Sequence, residues 1–171
     1  MKAGILCKAT ALLSVACWLH GGAAKEPPKP PPDVLLQVIV VGASGRGTSP
    51  VFDKRIPDKF RKQLQRCHLA YARYDLVGIQ RKPASFGREV RFALPGKEAL
   101  GTTVSPHDAQ SHPLRVATRV LDSKSKTIQK VQMRVPYART FLLHRPTGSA
   151  AVIMGVSGHK PPSPAAPRPP G

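Results

Sequence analysis

The chain has 171 residues, with 27 Lys and Arg against nine Asp and Glu, a formal charge of +18. That length holds one domain around a single modest core and leaves no room for a second sizeable one. The charge predicts attraction to anions, and the nine acids are too thinly spread to supply the paired carboxylates of hydrolytic chemistry.

Residues 1–24, MKAGILCKATALLSVACWLHGGAA, read as an export signal. Lys2 and Lys8 form a positive n-region, Ala9 to Leu19 an apolar run of 11 residues, and Gly22 and Ala24 are small residues suited to cleavage. The run is too short to span a bilayer. Lipid attachment at Cys17 is the weaker alternative, because Ser14 stands where such signals usually carry Leu. Cleavage leaves 147 residues and a charge of +16, since only Lys2 and Lys8 are lost. It also leaves Cys67 as the one thiol, so no internal disulfide forms and Cys67 is expected to be buried.

Eleven of the 19 prolines sit in two flanks, KEPPKPPP (residues 25–32, a linker) and KPPSPAAPRPPG (residues 160–171, a tail). Both compositions favour extended chain without a packed core. The single globular domain is therefore expected over residues 33–159. No segment of the mature chain is long and apolar enough to cross a membrane.

VLLQVIVV (Val34 to Val41) is nearly continuous in apolar, mostly β-branched residues and predicts a central strand covered on both faces. Ile56, Phe60, Leu64, Cys67 and Tyr71 then recur at helical spacing, with Pro57 suited to the first helical position. Leu69 falls opposite that stripe, so the helix is expected to end near Cys67 or His68. From Tyr74 onward the period becomes two. Val90, Phe92 and Leu94 share one face of a strand, as do Leu114, Val116 and Val120, and Val131, Met133 and Val135. Phe141 to Leu143 and Ala150 to Val156 complete the set. Leu94-Pro95-Gly96, Ser105-Pro106-His107-Asp108 and Asp122-Ser123-Lys124-Ser125 are turn compositions that favour short antiparallel connections. The expected fold class is α+β: one N-terminal strand, one amphipathic helix, then six or seven mainly antiparallel strands forming a sheet or sandwich.

VIVVGASGRG (Val38 to Gly47) resembles the phosphate loop of extended short-chain dehydrogenases, which implies a dinucleotide cofactor. Gly42 and Gly45 match that family's glycine spacing, whereas the third position is Thr48. Ser49, Pro50 and Pro57 delay the helix whose amides would meet a pyrophosphate. A glycine-rich loop leaving a strand accounts for the segment, and no cofactor is expected. Ser44 lacks the glycine two residues on that a nucleophile elbow needs, because Arg46 stands there. His68 beside Cys67, and His107 with His112, match no metal-ligand spacing, so no metal is expected.

The basic residues carry a geometric signature. The alternation that buries Val and Phe sends Arg91, Arg115, Arg119 and Arg134 to the opposite face of three predicted strands. They either solvate the sheet and guard its edges or form an anion-binding face. The expectation is an exported, non-enzymatic binding or structural module, periplasmic or extracellular. Its bacterial origin is inferred from the short signal and the Ala, Gly, Pro and Arg-rich composition. Its expected partners are an anionic polysaccharide, lipid headgroups or an acidic protein surface. Nucleic acid is disfavoured by export and by the lack of a basic and aromatic ladder for stacking bases. The alternative is a small exported hydrolase with an unpatterned active site.

Overall fold

The computed structural model describes residues 33–107 and 113–161. The expected signal peptide and linker, and all but two residues of the expected tail, lie outside them, as do Asp108 and His112. Among the described residues no helix is long and apolar enough to cross a membrane.

β1 (Val34–Ser44) contains the apolar run and sends its residues alternately to two cores. Val34, Leu36, Val38 and Val40 enter one, and Ile39, Val41 and Ala43 enter the other. A strand apolar on both faces has to be covered on both, and β1 sits in the middle of a five-stranded sheet. The order of that sheet is β2 (Val51–Phe52), β3 (Arg73–Ala84), β1, β9 (Ala150–His159) and β8 (Thr140–Thr147). All its pairs are antiparallel except the short β2–β3 pair.

β4 (Glu89–Leu94), β5 (Glu98–Pro106), β6 (Pro113–Leu121) and β7 (Thr127–Pro136) form a second sheet, an antiparallel meander in chain order. Its period-two alternation places Phe92, Leu100, Val104, Leu114, Val116, Val120 and Val135 against the even-numbered residues of β1 and against Met154 and Val156 of β9. The two sheets therefore stack as a sandwich around one core. Thr102 and Thr118 face each other across β5 and β6 and are also buried. Thr118 donates to the Val131 carbonyl at 3.4 Å, whereas the Thr102 hydroxyl has no partner among the described residues.

α1 (Asp58–Arg66) covers the other face of the five-stranded sheet. Its apolar stripe of Ile56, just before the helix, Phe60 and Leu64 is buried, each side chain contributing about 1.5–3 kcal/mol of apolar burial. Phe60 lies directly on Gly155 of β9, where a Cβ would meet the ring at 2.1 Å. Beside it, Tyr74 stacks on Phe52 at 4.7 Å between centroids and donates its hydroxyl to the Leu69 carbonyl at 2.9 Å.

Two expectations are corrected here. The fold is all-β and not α+β. Among the described residues nine strands in two sheets make the core, and the single helix, nine residues long, is a lid on one outer face. A well-patterned amphipathic segment announces that a helix exists but carries no information about the share of the core it builds. Cys67 is exposed, not buried. The helix closes at Arg66, and Cys67 is its C-cap, one turn beyond the last stripe residue to be covered.

Asp53 fastens the segment between β2 and α1. Its carboxylate accepts from the Arg55 backbone N–H at 2.9 Å, from the Arg55 guanidinium at 2.7 Å and from the Leu76 N–H of β3 at 3.3 Å. The Arg55 hydrogen bonds hold the Asp53 carboxyl well below the usual carboxylate range. Stability from such a group is present above its unfolded value, about 3.9, and is lost as pH falls through the lower folded one. Thermal denaturation followed by circular dichroism is expected to give a flat Tm between pH 7 and pH 5 and a decline below about pH 4. Asp53→Asn is expected to lower Tm at pH 7 and to shrink that acid-dependent decline. An unchanged acid profile would remove Asp53 from its cause.

Candidate anion-binding surfaces

The four arginines singled out from the alternation come from β4, β6 and β7, on the outer face of the four-stranded sheet. Register puts Arg91, Gly101, Arg119 and Lys130 in one row across all four strands. A second row brings Arg115 directly opposite Arg134, with Ala117 and Gln132 paired between the rows on the same two strands.

Two of the four are already occupied. Glu89, two residues before Arg91 on the same face, accepts from Arg91 Nε at 2.9 Å and from Arg119 Nε at 2.5 Å. Its carboxylate lies over Gly101, where a Cβ would stand 2.8 Å from Oε2, so the missing side chain of β5 is the seat of this triad. The hydrogen bond from Arg119 is the main force holding the Glu89 carboxyl below its ordinary range, against partial burial, and Arg91 adds to it. Arg119 is raised in turn by that same bond.

Arg115, Lys130 and Arg134 form no salt bridge among the described residues. With the Gln132 amide turned so that its oxygen faces Arg115, it accepts from the guanidinium, Nη2 lying at 2.9 Å. The free charge on the two-strand ladder of β6 and β7 is thus Arg115 opposite Arg134, and Lys130 opposite an Arg119 that Glu89 engages, the two rows being separated by the small Ala117. The Lys130 and Gln132 contribution was open to the alternation argument, since both share parity with Arg134. The neutralising role of Glu89 was not, because it depends on the register of β4 against β6 through β5.

A second basic concavity lies on the other sheet. A groove of about 740 Å³ runs between α1 and the ends of β8 and β9. Lys59, Lys62, Gln63 and Arg66 share one helix face at i, i+3, i+4 and i+7 and form one wall, with Arg139, Thr140 and His159 opposite. Gln63 donates to the Thr140 carbonyl at 2.8 Å, which ties the two walls together. Ser157 on the floor is 3% exposed, and its hydroxyl lies 3.0 Å from His159 Nε2. No carboxylate lines this groove among the described residues.

The other motifs resolve simply. The loop after Gly42 leads into β2, with the Ala72 N–H donating to the Gly45 carbonyl at 3.3 Å, and α1 starts only at Asp58. No cluster of three or more His, Cys, Asp or Glu able to hold a metal occurs among the described residues. Compared with known proteins, the chain matches no family profile and no curated relative.

Proposed function

We propose that the protein is an exported, non-enzymatic binding module that holds an acidic polysaccharide on the outer face of its four-stranded sheet. One observation carries this reading: the ladder of like charges on β6 and β7. Like charges placed directly opposite each other destabilise a sheet, by up to about 1 kcal/mol per pair. Arg115 and Arg134 stand in that relation with only a neutral amide beside them. A bound polyanion relieves the repulsion. The face also suits a linear chain: rows four residues apart along β6 are roughly 13 Å from each other, and Ala117 leaves the way between them unobstructed. Export rests on the composition of residues 1–24, and it selects envelope and extracellular anions over nucleic acid.

Binding to polygalacturonate or heparin, followed by isothermal titration calorimetry, is expected to weaken steeply as NaCl rises through the screening range. Arg115→Gln with Arg134→Gln is expected to bind about tenfold or more weakly with a flatter salt dependence. Salt-insensitive binding, or unchanged binding by that variant, would sink the proposal. Capture by anionic vesicles without binding to either polysaccharide would transfer the face to lipid headgroups.

The hydrolase reading has one observation in its favour, the 3.0 Å contact of Ser157 with His159. A nucleophile and base of this kind need a group that orients the imidazole, and no carboxylate lines the groove among the described residues. Binding therefore stays ahead. Turnover of a p-nitrophenyl ester that vanishes in Ser157→Ala would reverse the order.

A further inference from the structure

The groove under α1 has features that the polymer face does not explain. Solvated helix faces usually mix charges, yet Lys59, Lys62 and Arg66 are turned together toward Arg139 across a concavity without a lining carboxylate. The one acid of the helix, Asp58, is engaged by Arg61 outside the groove. The opposite wall is held in an unfavourable backbone conformation, because Ala138 adopts φ +60°, a left-handed region that disfavours a non-glycine residue. That turn is pinned by the Ala138 N–H donating to the Gly158 carbonyl at 2.8 Å, and it is what delivers Arg139 to the rim. The floor, by contrast, has no charged lining group: the Ser157 hydroxyl and the Gln37 amide, whose oxygen accepts from Arg81 Nε at 2.9 Å and whose N–H groups stay available, stand beside the edges of Ile39 and Phe60.

From this division, cationic rim over a floor of neutral hydrogen-bonding and apolar groups, we infer that the groove binds a sugar-sized ligand bearing a phosphate or sulfate ester. Lys62, Arg66 and Arg139 take the tetrahedral oxyanion, where charge-assisted hydrogen bonds are strongest. Ser157 and Gln37 meet ring hydroxyls. A volume of about 740 Å³ lies in the range of small-ligand sites and accommodates one or two sugar rings. The ladder of β6 and β7 is on the other sheet, so this site stands or falls without it.

The test is calorimetry on the full chain with four probes: glucose 6-phosphate, glucose 6-sulfate, inorganic phosphate and glucose. At least one ester is expected to bind, with inorganic phosphate about tenfold or more weaker and glucose weaker still. Whether one ester or both bind identifies the anion. Lys62→Gln with Arg66→Gln is expected to weaken ester binding about tenfold or more, whereas Arg115→Gln with Arg134→Gln leaves it unchanged. Ser157→Ala is expected to narrow the gap between ester and inorganic phosphate. Failure of both esters to bind, equal binding of inorganic phosphate, or loss of ester binding in the ladder variant would each overturn the inference. Because Lys62 and Arg66 are exposed, circular dichroism of the double variant is expected to match the parent, and a lost fold would be met by repeating the measurement with Arg139→Gln alone.

Discussion

Replacing Gly155 with valine is expected to destabilise the protein by about 3 kcal/mol or more and to lower Tm by roughly 10 °C. Gly155 sits in β9 beneath the buried ring of Phe60, and even a methyl carbon there would approach Cε2 to 2.1 Å and Cζ to 2.8 Å. The ring is packed in the cluster of Ile39, Leu64 and Ile153, and moving toward the groove that its edge borders would give up that packing. Either α1 lifts from the sheet or β9 bends away, and both expose apolar surface. The interaction is testable as a cycle. Phe60→Ala empties the space above Gly155, so Gly155→Val with Phe60→Ala is expected to lose less than the two single changes added together, by on the order of 1–2 kcal/mol. Strict additivity in urea denaturation would show that the cost of the valine arises elsewhere.

Tyr74→Ala is expected to cost about 3–5 kcal/mol, the range for removing a buried aromatic side chain. The residue is 2% exposed and joins three neighbours: Phe52 stacked on it, Tyr71 edge-on at 6.3 Å, and the Leu69 carbonyl that accepts its hydroxyl. Tyr74→Phe retains the ring and removes one hydrogen bond, and is expected to cost about 1 kcal/mol. The difference between the variants separates packing from polarity at this position. Burial also pushes the Tyr74 phenol above its ordinary ionisation range. An alkaline absorbance titration is expected to show a phenol component above the ordinary range, and that component should be missing from Tyr74→Phe.

Much of the sandwich can be read from particular residues. The run Val34 to Val41 lies in the central strand, and the alternations around Phe92, Val116 and Met133 lie in β4, β6 and β7 with their arginines outward. Where alternation failed, so did the reading. β3 exposes Val77 and Ile79 and shifts register at Val77, and β5 interrupts its apolar series with the buried Thr102, so neither strand stands out from its sequence. The class was misread for a different reason. The stripe of Ile56, Phe60 and Leu64 is a faithful signal of α1, but whether a helix forms half the core or covers one face is decided by what lies on the far side of the sheet. The groove was illegible because Arg139 and His159 reach Lys62 and Arg66 only through the pairing of β8 and β9 beneath the helix.

The position of β1 between β3 and β9 bears on how the protein is made. Leu35 pairs with His159, so one edge of the central strand is satisfied by residues synthesised more than a hundred positions later. Such distant pairings slow folding, because the loop they close is long. At about 5–20 residues per second of synthesis, several seconds pass between the emergence of the two strands. Through that interval the most apolar segment of the domain has an open edge. The five-stranded sheet therefore cannot close around β1 until the residues of β9 have been made.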